Sequence, residues 1–358
     1  MMKKTLVAAA VFAAVSGAAM AQSSVTLYGV ADANINSTSS TTYATPGGVS
    51  TKITQARVDS GGFSGSRWGL RGSEDLGGGL KAIFQFESGF DISTGSSAQG
   101  GLLFGRQAFV GLNGGFGTVS VGRQYTAYDD LYCATDVAYC SSYSPTGAGY
   151  GSGLAGSGVW GSVGIKNYTG RVNNSVSYAS PNFSGFSGQI VLSTNEDKTA
   201  TTSAGYNNSL RIQYANGPFR VGYAHQTERS VTQAVGLVPS STARIKYNLL
   251  AGTFDFGVAA IQAGFNSTKL NAIQDREYRV GVTVPLGAAS VNLGYAQARS
   301  KTNGNTTAKG DGLSLAGTYS LSKRTDFYSA FNTMKTKTGG GADTAKASVF
   351  AVGVRHRF

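Results

Sequence analysis

The residue types that could carry chemistry in this sequence are concentrated in one long segment, from Gly122 to Tyr168. Besides the only two cysteines of the chain, this segment holds three acids and, before Tyr168, six tyrosines: Cys133, Cys140, Asp129, Asp130, Asp136, Tyr125, Tyr128, Tyr132, Tyr139, Tyr143 and Tyr150. Carboxylates can oppose basic side chains across a gap, and a cysteine pair can form a disulfide. A connection of this length without periodicity is usually functional or disordered. We interpret it as a loop of about residues 124–168 with a function of its own.

The amino terminus predicts export. A short basic head (MMKK) precedes an apolar run over residues 6–15 and a small-residue motif, AMA, at residues 19–21. This is the pattern of a secretory signal peptide. The apolar run is far shorter than the ~20 residues that a transmembrane helix needs. We therefore expect residues 1–21 to be removed and residues 22–358 to form the mature protein.

The cysteines and histidines then have few possible roles. Cys133 and Cys140 are separated by six residues and would lie in an oxidising compartment, so we expect a disulfide between them. His225 and His356 lie far away, each on the apolar face of a predicted strand, so no metal site or catalytic triad is predicted. The sequence predicts no enzymatic activity and no cofactor.

Charge narrows the range of partners. The chain has 30 Lys and Arg and 18 Asp and Glu. Loss of Lys3 and Lys4 with the leader leaves 28 basic residues against 18 acidic ones, a net charge of +10. A net positive charge of this size indicates nucleic acid or another anionic partner. Export argues against nucleic acid, and the basic residues are spread along the chain. An anionic solute or an anionic lipid surface fits better.

Alternation with a period of two residues runs through the chain after the leader, and it predicts β-strands. In the first strand, apolar and small residues share one parity and polar residues the other: Val25, Leu27, Gly29, Ala31, Ala33 and Ile35 against Thr26, Tyr28, Asp32 and Asn34. After a polar loop through Thr51, a second strand has Trp68 and Leu70 on one face and Arg67 and Arg71 on the other.

Later strands repeat this pattern, and counting them predicts sixteen, with short turns at one end and long loops at the other. One example has Ile245, Tyr247 and Leu249 opposing Lys246 and Asn248. Strands of about nine to eleven residues with one apolar and one polar face are typical of a transmembrane β-barrel. A soluble β-sandwich has few strands this long. The predicted fold class is all-β: a closed antiparallel barrel with lipid outside and, at sixteen strands, water inside.

One segment does not fit a single face assignment, because Val119, Val121 and Arg123 share a parity. A β-bulge near the end of the strand would explain it. Burial of that face against the infolded loop would explain it equally well.

Several motifs resemble the Gram-negative general diffusion porins of the β-proteobacterial type. They are SVTLYG at 24–29, WGLRGSEDLGGGLKA at 68–82, GRQAFVGL at 105–112, FGTVSVGRQ at 116–124, NNSVSY at 173–178 and VGVRHRF at 352–358. The resemblance covers the whole mature chain. It implies a homotrimer of sixteen-stranded barrels in the cell outer membrane, each with its third external loop folded into the lumen. It also implies contact with outer-membrane lipids and lipopolysaccharide.

The resemblance further implies roles for individual residues. Arginines on the wall face acids on the inserted loop; the matching positions are Arg67, Arg71, Arg106, Arg123 and Arg171 on the wall and Asp129, Asp130 and Asp136 on the loop. Phe358 matches the terminal residue that outer-membrane barrels present to their assembly machinery. The two cysteines depart from the usual family pattern.

The expected function is passive diffusion of small hydrophilic solutes and ions with a modest anion preference, since arginine attracts anions at any relevant pH. Two alternatives stay open. The loop tyrosines could form the aromatic track of a substrate-specific channel, or the external loops could act as a surface receptor or adhesin.

Overall fold

Seventeen strand segments form one antiparallel sheet in the computed structural model. The structure describes residues 24–146, 168–195, 198, 203–232 and 241–358, so the predicted leader lies outside the described residues. The first strands are β1 (Ser24–Tyr43), β2 (Ser50–Ser60), β3 (Arg67–Gly77), β4 (Leu80–Gly89), β5 (Gln107–Gly114), β6 (Gly117–Tyr125), β7 (Arg171–Ala179) and β8 (Phe186–Thr194). The others are β9 (Tyr206–Asn216), β10 (Phe219–Thr232), β11 (Ser241–Asp255), β12 (Ala260–Leu270), β13 (Ile273–Leu286), β14 (Ala289–Thr302), β15 (Asn305–Ser320), β16 (Thr325–Thr338) and β17 (Asp343–Arg357). Within the described residues, the helical elements are a 3₁₀ turn (Gln99–Gly101) and α1 (Ala127–Ala134).

The sheet closes on itself, because β1 pairs with β17 from Val30 opposite Arg357 to Thr42 opposite Ala345. The carboxyl-terminal residue extends the closure: Gly29 N–H donates to the Phe358 carbonyl at 2.9 Å, and Phe358 N–H donates to the Gly29 carbonyl at 3.1 Å. Closure removes the open edge, whose unpaired backbone groups could not be satisfied in lipid.

The seventeen segments occupy sixteen positions around the barrel. The first part of β1 pairs with β3, and its second part pairs with β2, so β2 and β3 together form one interrupted strand. The predicted sixteen-stranded barrel is thus confirmed. The strand β2 was missing from the sequence-based prediction, which placed a polar loop through Thr51 and then the strand that contains Trp68.

The interruption at residues 61–66 folds inward. The carboxylate of Asp32, fully buried, accepts hydrogen bonds from Phe63 N–H at 3.1 Å and Ser64 N–H at 2.7 Å, and from the Tyr328 hydroxyl at 2.6 Å. A buried carboxylate needs such donors, so this hydrogen-bonding group holds the inward turn in place. A short piece of backbone thereby becomes part of the lumen surface.

The outer face is apolar, as a lipid-facing surface requires. Leu293, Leu315, Phe331 and Val352 are each at least 40% exposed on it. The inner face is polar over most of the wall.

The connections also differ between the two ends of the barrel. Short turns such as residues 287–288 lie at one end, and the long β6–β7 connection lies at the other.

The strand β11 departs from the predicted assignment of faces. Tyr247 and Leu249 are fully buried inside the barrel, whereas Lys246 and Leu250 are exposed on the outside. The apolar parity of this strand therefore faces the lumen. The reason is a second apolar surface inside the barrel, which is described next.

Candidate functional site

The connection between β6 and β7, residues 126–170, is here named loop 3; its described parts are 126–146 and 168–170. It starts with a well-capped helix: the Thr126 hydroxyl accepts from Asp129 N–H at 3.2 Å at the amino end of α1. Asp129 and Asp130 lie in the first turn, where acidic side chains interact favourably with the helix dipole. The local sequence thus determines where α1 begins and places two acidic side chains in its first turn.

One face of α1 is apolar and packs on the wall. Tyr128, Leu131 and Tyr132 are at most 1% exposed and lie against Tyr247, Leu249 and their neighbours on β10 and β11. Gly222 on β10 provides the space for the Leu131 side chain, since a Cβ at position 222 would come within 2.8 Å of it. Loop 3 therefore lies inside the lumen, and it accounts for the inward apolar face of β11.

Polar contacts fix the helix in register with the wall. The Tyr128 hydroxyl donates to Asn266 Oδ1 at 2.7 Å, and the Tyr132 hydroxyl donates to Glu277 Oε1 at 3.0 Å. Arg279 donates to the Tyr132 carbonyl at 3.2 Å and to Thr135 Oγ1 at 2.9 Å, and its guanidinium lies 3.8 Å from the centre of the Tyr132 ring. Buried hydrogen bonds of this kind specify one position, because each broken one leaves an unsatisfied group.

The second part of the loop continues along the wall from β13 to β16. Val137 fits against Gly281, where a Cβ would come within 2.4 Å of the Val137 Cβ. The side-chain amide of Asn332 on β16 donates to the Tyr143 carbonyl at 3.3 Å and the Ser144 carbonyl at 2.9 Å. Loop 3 is therefore attached to the wall at several strands from β10 to β16.

The predicted disulfide between Cys133 and Cys140 is present, with the two Cα atoms 5.0 Å apart. Asp136 lies inside the ring that it closes. Its carboxylate accepts from the N–H groups of Ala138 and Cys140 at 2.9 and 3.1 Å and from the Ser144 hydroxyl at 2.7 Å. Asp136 is 2% exposed, and its place among the loop acids opposite the predicted arginines stays a prediction.

A lumen pocket lies between the loop and the β3–β5 side of the wall. Arg67 and Arg106 line it on the wall side, and Asp129, Asp130 and the disulfide line it on the loop side. Two predicted arginines and two predicted acids are thus brought together.

A buried carboxylate that the sequence-based prediction missed organises the basic side. Glu87, 4% exposed, accepts from Arg106 Nε at 2.7 Å and lies 3.5 Å from Arg67 Nε. Its position on the polar parity of β4 was the only signal of its role. Two guanidinium groups share this one carboxylate, so the wall side keeps a net positive charge.

A second pair of arginines lies next to this group. The Tyr125 hydroxyl accepts from Arg106 and from Arg171, each at 2.7 Å. Arg123 Nε donates to the Gly105 carbonyl at 2.8 Å. Arg106, Arg123 and Arg171 therefore lie around one tyrosine, in an arrangement that spacing alone does not predict.

The parity anomaly at Arg123 coincides with an irregularity in the ladder. Gly122 pairs with Ser175 but Gln124 pairs with Val172, so two residues of β7 oppose the single Arg123. This is the geometry of a β-bulge, which redirects side chains near the end of a strand. Of the two explanations open from sequence, the structure shows the bulge.

Arg71 lies apart from the other arginines. It is exposed on the inner face of β3, with its guanidinium 5.0 Å from the centre of the Tyr28 ring, and it does not line the pocket. Arg355 of β17, which was not predicted as a site residue, does line it. Residues far apart in sequence meet here only because the barrel closes.

The loop tyrosines divide into two groups. Tyr128, Tyr132 and Tyr143 are at most 2% exposed, whereas Tyr139 is 67% exposed and lines the pocket together with Tyr125. Tyr150 lies outside the described residues. Most of the described tyrosines therefore pack against the wall.

A closed barrel with an apolar outer face, a polar lumen and an inserted loop defines a channel protein of the bacterial outer membrane. The chain belongs to the Gram-negative porin family, whose model matches residues 8–339. It is an outer-membrane porin, a passive channel for small hydrophilic solutes, as the resemblance predicted.

Named relatives agree with this assignment. An outer membrane porin of Bordetella pertussis is 34% identical over the full length of both chains. Outer membrane porin protein 32 of Delftia acidovorans is 32% identical over 99% of this chain and 95% of its own. Among solved structures, an anion-selective porin from Comamonas acidovorans matches with a TM-score of 0.75 at 26% identity, covering 94% of this chain and all of its own.

Proposed function

We propose that this porin prefers anions, and that the pocket between the arginines and loop 3 is its constriction. The observation that carries the proposal is the unequal balance of charge across the pocket. On the wall side, Arg67 and Arg106 share the single carboxylate of Glu87, with Arg123 and Arg171 close by. Basic charge therefore exceeds acidic charge on that side.

The loop side offers less exposed charge. Asp129 is 4% exposed and accepts a hydrogen bond from the Tyr168 hydroxyl at 3.1 Å. Burial raises the pKa of the Asp130 carboxyl, an effect that the charge of Arg211 opposes. The arginines thus dominate the potential that a passing ion meets, and fixed charges at a narrow point set ion selectivity.

The opposing charges also create an electric field across the pocket. Such a field orients hydrated solutes, so we expect polar solutes to pass more readily than apolar solutes of equal size. The similarity to the anion-selective porin from Comamonas acidovorans supports the sign of the preference. The proposed activity is transport alone, without a catalytic step.

The test is a reversal-potential measurement across a planar bilayer with a salt gradient. Replacing Arg106 and Arg123 by Gln should lower the chloride-to-potassium permeability ratio several-fold. As a matched control, replacing Lys323 and Arg324 in the exposed β15–β16 turn removes the same charge away from the pocket. An unchanged reversal potential in the Arg106 and Arg123 variant would contradict the proposal.

We also propose a homotrimer. An OmpT structure from Vibrio cholerae, titled as a trimer form, shares the fold at a TM-score of 0.67 and 18% identity. Val25, Val110 and Val121 are 53–65% exposed and line one outer groove at β1, β5 and β6, which suits a subunit contact. Light scattering of the detergent-solubilised protein tests this, and a monomer mass would contradict it.

Phe358 is proposed to present the chain to the barrel-assembly machinery. Its backbone pairs with Gly29 at the closure, and its side chain is 46% exposed. Deleting Phe358 should lower the yield of folded barrel in the outer membrane, as measured by the heat-modifiable shift of the folded protein on a gel. A wild-type yield would contradict the proposal.

A further inference from the structure

The disulfide between Cys133 and Cys140 lies at the surface of the pore. Both cysteines line the same lumen pocket as Arg67 and Arg106, so a solute in the pocket can reach the two sulfur atoms. Cys133 is partly exposed, whereas Cys140 is 4% exposed. Exposed disulfides are reduced more readily than buried ones, by exchange with thiols from solution. The position of this disulfide therefore makes it a target for thiols that enter the lumen.

The backbone beside the disulfide adopts a conformation that is rare for residues with a Cβ. Tyr139 has a φ of +51° and Cys140 a φ of +55°. Left-handed backbone at residues other than glycine costs free energy, and it persists only where surrounding contacts fix it. Here the disulfide fixes it together with Asp136, whose carboxylate accepts from Cys140 N–H at 3.1 Å. Opening the disulfide removes one of these constraints and lets the backbone relax.

The charges on the wall side of the pocket favour anionic thiols. Arg67 and Arg106 share the single carboxylate of Glu87, so this side keeps a net positive charge. A cleft lined by charges of one sign raises the local concentration of ions of the opposite sign. Thiolates are the attacking species in disulfide exchange, and neighbouring guanidinium groups stabilise them. This selectivity rests on the anion preference proposed above.

The loop side determines which of the two sulfur atoms is attacked. Asp129 Oδ2 lies 3.8 Å from Cys133 Sγ, so a negative charge on that sulfur is disfavoured by repulsion from the carboxylate. Attack on Cys133 avoids this repulsion, because the negative charge then leaves with Cys140. The exposure of the two residues favours the same direction, since Cys133 is the more exposed.

We propose that the disulfide of loop 3 is an exchange site for small anionic thiols that enter the pore. The thiolate attacks Cys133 Sγ and forms a mixed disulfide with it, while the bond to Cys140 breaks and Cys140 leaves as a thiolate that takes a proton from water. A second thiolate attacks the sulfur of the bound thiol, and Cys133 leaves as a thiolate that is protonated in turn. Two external thiols are thereby oxidised to one disulfide, and the loop disulfide is reduced to two thiols.

Exchange changes the solute path without releasing the whole loop. The wall contacts of Tyr132 and Ser144 lie outside the ring of residues 133–140, so they stay in place when the ring opens. Tyr139 lies inside the ring, and its exposed side chain lines the arginine pocket as well as a second lumen pocket toward β10–β12. The side chain that gains freedom is thus one that two lumen pockets share.

The test uses the folded, disulfide-intact porin in detergent micelles and three small thiols of different charge. They are mercaptoethanesulfonate, which is anionic, mercaptoethanol, which is neutral, and cysteamine, which is cationic. Each is used at the same thiolate concentration, because the thiolate fraction affects the rate of exchange. Iodoacetamide stops the reaction, and mass spectrometry follows the loss of the disulfide. The same series on the urea-unfolded chain gives the reactivity of the disulfide without the pocket.

We expect the rate ratio of mercaptoethanesulfonate to cysteamine to be about tenfold higher in the folded porin than in the unfolded chain. At early times, peptide mapping should find the thiol on Cys133 and the carbamidomethyl group on Cys140. Equal ratios in the two forms would overturn the proposal, as would a folded disulfide that resists all three thiols. An adduct on Cys140 would overturn the direction of attack.

Two double variants test the source of the selectivity. Arg67→Gln with Arg106→Gln should lower the rate ratio toward that of the unfolded chain. Lys323→Gln with Arg324→Gln removes the same charge from an exposed turn and should keep the wild-type ratio. A wild-type ratio in the pocket variant would overturn the role of the arginines. The heat-modifiable gel shift checks folding, and the three-thiol series on wild type decides the proposal even if the pocket variant does not fold.

The reversal potential of the wild-type channel separates this proposal from the proposed function. An anion preference combined with an exchange rate that does not depend on thiol charge would overturn the exchange site alone. Absence of an anion preference would overturn the proposed function, whatever the exchange rates are.

Discussion

Loop 3 presents two faces to opposite walls of the same barrel. Toward β10–β13 it buries tyrosine and leucine side chains and satisfies its polar groups with Asn266, Glu277 and Arg279. Toward β3–β5 it leaves a pocket between its acids and Arg67 and Arg106. The first face is held in place by buried contacts, whereas the second face leaves open space for solutes.

The comparison shows that arginine has two roles in this lumen. Arg279 is buried and donates two hydrogen bonds to the loop, so its charge is not available to ions. Arg67 also lies on the wall but lines the pocket. The proposed function requires that the loop is held firmly and that the selective charges stay accessible, and the two faces would serve these two requirements separately. The predictions below alter one face at a time.

The largest effect is expected from Arg279→Met. Removing one partner of a buried charged pair typically costs about 3–5 kcal/mol, because Glu277 would remain buried without its cation. Loop 3 should detach while the barrel stays closed, giving larger and noisier single-channel currents and faster proteolysis of the loop. Arg244→Met, at an exposed site on the outside of β11, is the control. Steady wild-type currents in the Arg279 variant would contradict the role of this face.

A smaller effect is expected from replacing Cys133 and Cys140 by Ser. A ring of this size constrains the unfolded loop by about 2–3 kcal/mol. Hydrogen exchange within residues 127–146 should become faster, while exchange in the strands stays the same. Wild-type protein treated with a reducing agent should behave in the same way. Unchanged exchange in the loop would show that the wall contacts alone hold it.

Gly281→Val tests the contact between Val137 and β13. The new side chain would overlap Val137, and overpacking typically costs about 1–3 kcal/mol. We expect intermediate current noise without loss of the barrel. Gly317→Val, where a Cβ would have its nearest neighbour at 3.9 Å, is the matched control for adding valine to a strand. Equal noise in both variants would refute the proposed contact.

The smallest effect concerns the open face. Burial raises the pKa of the Asp130 carboxyl, so this group takes up a proton at a higher pH than an ordinary aspartate as the pH falls. Loss of its negative charge should increase the anion preference as the pH falls. Reversal potentials measured from neutral to acidic pH should show this rise in wild type and a weaker one in Asp130→Asn. Identical profiles would contradict it.

Much of this protein follows from its sequence. Alternation along the strands predicts a barrel, since only a closed sheet with an apolar exterior satisfies its backbone in lipid. The count of sixteen strands, the insertion of the third loop and the disulfide between Cys133 and Cys140 were all predicted and are present. The strand count and the disulfide depend on local pattern or on a pair close in sequence, whereas the insertion of the third loop was implied by the family resemblance.

The strand β2 escaped detection because its alternation is weak. Its outward residues include Lys52 and Thr54, which give little apolar signal, and its partner is the second part of β1. The inward break at residues 61–66 depends on Asp32, which is distant in sequence. Neither feature is encoded by local periodicity.

The candidate site was determined only in part by sequence. The family resemblance identified Arg67, Arg106, Asp129 and Asp130, and the fold places them around one pocket. Asp136, of the same type and in the same loop, turns inward because backbone N–H groups within the disulfide ring need an acceptor. Type alone cannot distinguish a carboxylate that faces solvent from one that closes a turn.

Tertiary structure alone decided the remaining features. The lumen acquires a second apolar surface only when loop 3 docks, so Tyr247 and Leu249 face inward against the expected parity. Glu87 becomes the shared partner of two arginines only when β3, β4 and the residue before β5 come together. The sequence pattern indicates which residues face the lipid bilayer. Contacts inside the lumen join residues up to 296 positions apart, which meet only when the barrel is closed.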